Sequence, residues 1–212
     1  MLRRLPLMLA LLAFPLNAFA HQLDEYLQAT IVSIEPDDIR LEMSLTPGVA
    51  IVGRILGVID TNRDDQISPH EAEAYAELLK RDLSVRMDGS DMELKRITIN
   101  FPEPDEMRGG WGIFRIGFDM APGALTAGVH RIGIENKHFP AMSVYLVNAA
   151  QPKSGSVNIL RQIRSQNQST AEVEFTLQQP AKSFNPFGVA AALPAMSLAL
   201  AGARWARKFC VG

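Results

Sequence analysis

Apolar residues recur at every second position through most of the middle of this 212-residue chain, so each such segment buries one face and exposes the other. Strands are the consequence. Ile39, Leu41, Met43 and Leu45 form one face, and Ala171, Val173, Phe175 and Leu177 form another. Leu83, Val85 and Met87 precede an Asp88-Gly89 turn, after which Met92 and Leu94 lead into Ile97, Ile99 and Phe101, a pattern that reads as a hairpin. Runs at 31–34, 113–118, 129–134, 143–147 and 157–163 bring the expectation to seven to nine strands. Pro36, Pro47, Pro102, Pro104, Gly109-Gly110, Pro122-Gly123, Pro140 and Pro152 separate them. This spacing predicts a mainly β fold, an antiparallel β-sandwich over residues 21–180.

The two ends follow other rules. Residues 1–20 place Arg3 and Arg4 before the apolar run 5–16 and close on Ala18-Phe19-Ala20, the order of a cleavable secretory signal peptide. Cleavage there makes His21 the mature N-terminus. Residues 187–203 carry no charge and are long enough to span hydrocarbon at the lower limit, despite Pro194. Arg204, Trp205, Arg207 and Lys208 follow, which places the 204–212 tail on the cytoplasmic side. A short linker at 181–186, containing Lys182, Ser183 and Pro186, joins this C-terminal transmembrane helix to the domain. The expected arrangement is an exported protein, anchored in the inner membrane, with its main domain in the periplasm or outside the cell. A buried Ala-rich helix and removal of the tail by a sorting enzyme are the alternatives for 187–203. Cys210 is the one cysteine, so no disulfide forms within the chain.

Charge narrows the partners. The formal net charge is -2, but Arg3, Arg4, Arg204, Arg207 and Lys208 all lie in the ends. Residues 21–186 hold 16 Lys and Arg against 23 Asp and Glu. Such a domain suits cations, and a nucleic-acid partner is excluded because phosphate neutralisation needs clustered basic residues. The remaining partners are the membrane, through the C-terminal helix, and a protein of the envelope or membrane.

One stretch abandons the two-residue rhythm. Ile51, Val52, Ile55, Leu56 and Ile59, then Ala72, Tyr75, Ala76, Leu78 and Leu79, recur at three- and four-residue intervals, which predicts helices over 49–59 and 69–83. Between them residues 60–71 read DTNRDDQISPHE. Hard divalent cations take six to eight oxygens, and a twelve-residue loop gathers that many only when alternate residues point inward and the chain reverses midway. The segment resembles an EF-hand calcium loop, inserted at about 48–83. The resemblance implies Ca²⁺ ligation by Asp60, Asn62 and Asp64 at positions one, three and five, and by the carbonyl of Gln66 at seven. Ser68 acts at nine through water, and Glu71 supplies both carboxylate oxygens at twelve. Ile67 takes the inward aliphatic place at position eight. No Cys and only His70 lies in the loop, which disfavours zinc or copper there.

Position six departs from the pattern, with Asp65 where the family has Gly. A left-handed backbone is needed there, and Asp adopts one at roughly 1 kcal/mol. Affinity falls without vanishing, and Arg63 offsets part of the added negative charge. No second such loop is present in the chain, so the expected calcium is structural, a rigid clip and not a switch.

Three other readings stand beside this one. The outer portions of bacterial metal-permease proteins are similar in beginning His-x-Leu-Asp-Glu-Tyr-Leu, as His21 to Leu27 do here, which implies a metal-handling accessory role. Copper or nickel binding through His21 requires two of His70, His130 and His138 beside the mature N-terminus. An envelope hydrolase with structural calcium is the enzymatic alternative, but no G-x-S-x-G elbow, H-E-x-x-H or phosphate-binding glycine loop is present. Gly109-Gly110-Trp111-Gly112 reads as a turn between strands. Asn167-Gln168-Ser169 matches a glycosylation acceptor, and Asn136-Lys137-His138-Phe139-Pro140 carries no chemistry readable from sequence.

Overall fold

The computed structural model describes residues 24–178, excepting the side chains of Arg96 and Ile97. The expected signal peptide, linker, hydrophobic helix and tail, together with His21 and Cys210, lie outside the described residues. No described helix is long and apolar enough to cross a membrane.

The elements run β1 (Tyr26–Ile34), β2 (Ile39–Pro47), α1 (Val52–Ile59), α2 (Pro69–Arg81), β3 (Leu83–Met87), β4 (Ser90–Asp91), β5 (Lys95–Asn100), α3 (Pro104–Arg108), β6 (Phe114–Met120), β7 (Gly128–Asn136), β8 (Ser143–Ala149), β9 (Val157–Arg164) and β10 (Thr170–Leu177). They form two five-stranded sheets, ordered β5-β6-β2-β1-β8 and β4-β3-β7-β10-β9. The protein is mainly β, as expected, and its two sheets are those of a sandwich.

Alternation decides which side of each strand is inward. Ile39, Leu41, Met43 and Leu45 are buried on β2, Phe114, Ile116, Phe118 and Met120 on β6, and Ala171, Val173 and Phe175 on β10. These residues and the inner faces of α1 and α2 belong to one apolar cluster. Each fully buried large side chain contributes about 1.5–3 kcal/mol, and the three buried phenylalanines Phe114, Phe118 and Phe175 stand at the upper end.

Three expectations need correction. The sandwich is not wholly antiparallel, because β8 runs parallel to β1 with Tyr26 opposite Ser143 and Val32 opposite Ala149. Period two encodes which face is buried, never strand direction, and the chain reaches β8 only after crossing from the other sheet at β7. The hairpin at Asp88-Gly89 is real but two residue pairs long, Met87 with Ser90 and Arg86 with Asp91. Beyond it β5 leaves for the other sheet and pairs with β6. Gly109 to Gly112 is not a plain turn between strands, since it follows the short helix α3, which Pro104 opens at the first turn and Gly109 caps.

A buried polar network pins α2 to both sheets. Asp82 caps the C-terminus of α2, and its Oδ2 lies 2.7 Å from Nδ1 of His138 just beyond β7. The other His138 nitrogen meets the Tyr75 hydroxyl at 3.0 Å, and that hydroxyl meets Tyr26 of β1 at 2.6 Å. Asn136 donates to Gln28 at 2.9 Å, and Gln28 and Tyr145 donate to the His138 carbonyl at 2.8 and 2.9 Å. Burial without partners would be unfavourable for these groups, so their mutual pairing specifies where the helix docks.

Candidate metal centre

Both helices that flank the 60–71 segment begin or end where their residues dictate. α1 presents Val52, Ile55, Leu56 and Ile59 to the core and ends at Asp60, whose N–H donates to the Leu56 carbonyl. α2 starts sharply: Pro69 fills the first turn, and the Ser68 hydroxyl accepts from the Glu71 N–H at 3.3 Å while Ser68 N–H donates to Glu71 Oε2 at 3.0 Å. This reciprocal capping box satisfies two otherwise unpaired donors. Ile67 packs against the core, the place assigned to it.

The chain between the helices is wound tightly. Arg63 and Asp65 both have left-handed backbones, with φ of 60° and 66°. Asp65 therefore adopts the conformation that position six demands, in spite of its side chain. The Asp60 carboxylate accepts from Asp64 N at 3.2 Å and from Asp65 N at 3.0 Å. Asn62 Oδ1 accepts from that same Asp64 nitrogen at 3.0 Å, and Asp64 Oδ1 accepts from Gln66 N at 3.0 Å. The Asn62 amide donates to Asp64 Oδ2 at 2.9 Å. Asp60, Asn62 and Asp64 are thus one linked set.

Glu71 closes the loop from the helix side. Its Oε1 accepts from Thr61 N at 2.8 Å and Thr61 Oγ1 at 3.0 Å, and its Oε2 accepts from the Ser68 hydroxyl at 2.8 Å. The Ser68 hydroxyl and backbone, reinforced by Thr61, hold the Glu71 carboxyl down at about 2. Only 5% of Glu71 is exposed, and these donors outweigh burial, so the loop surrounds a carboxylate that is ionised at neutral pH.

Five of the six sequence-assigned residues are therefore brought together in two groups, Asp60, Asn62 and Asp64 on one side and Ser68 and Glu71 on the other, joined where Thr61 meets Glu71. Gln66 is exposed and enters through its N–H alone. Among the described residues no group of three or more His, Cys, Asp or Glu is placed to hold a metal ion. Protein donors occupy both Glu71 oxygens and both Asp60 oxygens. In donor type the set matches a hard cation, being all oxygen, with the left-handed residues at the two even positions where the loop must reverse.

Two features escaped the sequence reading. Arg108 of α3 forms a two-pronged ion pair with Asp65, through Nη1 at 3.2 Å and through Nη2, and also bonds Asp105 at 2.9 Å. The guanidinium holds the Asp65 carboxyl below its usual range. A separation of 43 residues gives sequence no signal for that contact. The second feature is an acid pair at the β1–β2 end, where Asp38 is pushed up by its hydrogen bond to Asp119, then by burial and mutual repulsion. Arg40, 3.1 Å from Asp38, opposes the shift.

The histidines named for copper are otherwise engaged. His130 bonds Asp88 at 2.7 Å and the Thr126 carbonyl at 2.8 Å, and His138, wholly buried, uses both ring nitrogens in the network of α2. His70 is exposed.

The chain matches no family model, and it matches no curated protein.

Proposed function

We propose that residues 60–71 bind a calcium ion that braces the helical insertion against the β fold, in an exported domain anchored by residues 187–203 that serves recognition or an accessory role and not catalysis. The observation that carries this reading is the left-handed backbone of Asp65, φ 66°, at the sixth loop position, where an L-residue is strained. Strain of that kind persists where the surrounding geometry requires it. An all-oxygen donor set and an ionised Glu71 support calcium over softer ions.

Calcium would take over oxygens that now accept from Thr61, Asp64, Asp65 and Ser68 N–H groups. Asp60, Asn62, Asp64 and Glu71 would hold it through side chains, Gln66 through its carbonyl and Ser68 through water. Because α2 is tied to both sheets through Tyr75 and Asp82, an ion that locks its N-terminus stiffens the whole helix between two fixed ends.

The test is a thermal melt of the full chain with and without millimolar calcium, with magnesium as control. Calcium is expected to raise the melting temperature, and Glu71→Gln to abolish most of the rise. A melting curve indifferent to calcium would overturn the assignment. Anchoring is read separately: deleting residues 187–212 is expected to move the protein from the membrane to the soluble fraction, and persistence in the membrane fraction would refute this anchor.

A further inference from the structure

Trp111 is 68% exposed, the most exposed large apolar side chain among the described residues. An indole in water is unfavourable by itself, yet three features hold it there. The backbone runs directly beneath it, since a Cβ at Gly109 would fall on the benzo ring. Gly110 has φ +82°, and a Cβ at Gly112 would stand 2.6 Å from the Met107 nitrogen, so both positions require glycine. The N–H groups of Trp111 and Gly112 both donate to the Glu106 carbonyl, at 3.2 and 2.9 Å, which fastens the loop to α3. The ring is a supported platform with most of its surface open.

Beside it lies an open depression of about 390 Å³. Asn100 and Arg115, cross-strand partners on β5 and β6, line it together with Glu103, Glu106 and Phe101. Phe101 is itself held by stacking on Phe114, with centroids 4.8 Å apart and planes 20° from parallel. The volume lies within the range of small-ligand sites.

The lining selects the ligand. Carboxylates beside the ring disfavour a phosphate, a nucleic acid or an anionic bilayer, by like-charge repulsion. A protein hot spot would call for an apolar socket, whereas here Asn100, Glu103, Glu106 and Arg115 interrupt the apolar surface of Pro102 and Ile113. Glutamates accept hydrogen bonds, and Asn100 and Arg115 donate them. A molecule that meets both needs has hydroxyls around its rim and an apolar C–H face for the indole. A pyranose ring has both.

We propose that Trp111 and the adjoining depression form a binding site for a neutral saccharide of one or two pyranose units. Trp111 supplies the stacking surface, Arg115 and Asn100 donate to hydroxyl oxygens, and Glu103 and Glu106 accept from hydroxyl protons. The site does not depend on calcium at residues 60–71.

The test uses the full chain carrying Trp205→Phe, so that Trp111 is the one tryptophan, held in a detergent without a sugar headgroup. Chitotriose, cellotriose, maltotriose and mannotriose are titrated while Trp111 fluorescence and heat are recorded, with choline chloride as the cationic control. At least one saccharide is expected to give a saturable blue shift and matching heat. By heat, Trp111→Ala is expected to weaken binding at least tenfold, and Arg115→Met to weaken it with the melting temperature unchanged. Silence from all four sugars, a response to choline alone, or binding that survives Trp111→Ala would each overturn the proposal.

Discussion

Asp82 and His138, 56 residues apart, meet at 2.7 Å where the end of α2 touches the end of β7. The imidazole is wholly buried and passes the connection on to Tyr75 and Tyr26. Four polar side chains from α2, its cap, β1 and the β7–β8 connection thus stand in series inside an otherwise apolar core.

Breaking the series in the middle leaves two buried groups without partners. Tyr75→Phe is expected to destabilise the protein by about 1–3 kcal/mol, because His138 Nε2 and the Tyr26 hydroxyl both lose a neighbour. Urea denaturation measures it. A change near zero would show that the network positions α2 no better than apolar packing does.

Acid should act in two separate windows in metal-free buffer. Burial lowers the His138 pKa, opposed by Asp82, so the folded protein binds fewer protons than the unfolded chain just below the ordinary histidine value of about 6.5. That contribution is complete above 6.5 and is lost as pH falls toward the folded value. Glu71, held at about 2, contributes stability above its ordinary 4.5 and loses it between there and about 2. Denaturant midpoints measured from pH 7.5 to 2.5 should therefore fall twice. Asp65, Asp88 and Glu174 are also held low, so Glu71→Gln should shrink the lower fall without abolishing it and leave the upper one, and an undiminished lower fall or loss of the upper one in that variant would refute the assignment.

Asp65 carries opposing effects. Glycine there removes left-handed strain of roughly 1 kcal/mol, but also the ion pair with Arg108, which is exposed and screened by solvent. Asp65→Gly is expected to be neutral or stabilising and to bind calcium more tightly than the parent, whereas Arg108→Ala is expected to be slightly destabilising because it loses the contacts to both Asp65 and Asp105 and relieves no backbone strain. Paired melting curves and calcium titrations decide it. An Asp65→Gly protein less stable than Arg108→Ala would show that glycine relieves no left-handed strain at this position, since both variants lack the pair.

Much of the fold is written in local pattern. Ile39 to Leu45 and Ala171 to Leu177 declare their buried faces by alternation, and the two helices declare theirs by three- and four-residue recurrence, since both depend only on neighbours along the chain. The loop's hydrogen-bonded oxygen set was equally legible, because Asp60 to Glu71 are spaced within one contiguous segment. Tyr26 to Thr30 hid the start of β1, because Gln28 and Thr30 are polar yet buried, satisfied by partners far away in sequence.

The amino-acid order by itself determined the two sheets' inward faces, the helix-loop-helix and the left-handed demand at Asp65, all consequences of backbone geometry over a few residues. Tertiary structure alone decided that β8 lies parallel to β1, that β5 changes sheets, that Arg108 reaches Asp65 and that Trp111 stands above a polar depression. Those relationships join residues tens of positions apart, and only the closing of one shared core brings such distant groups within a few ångströms of each other.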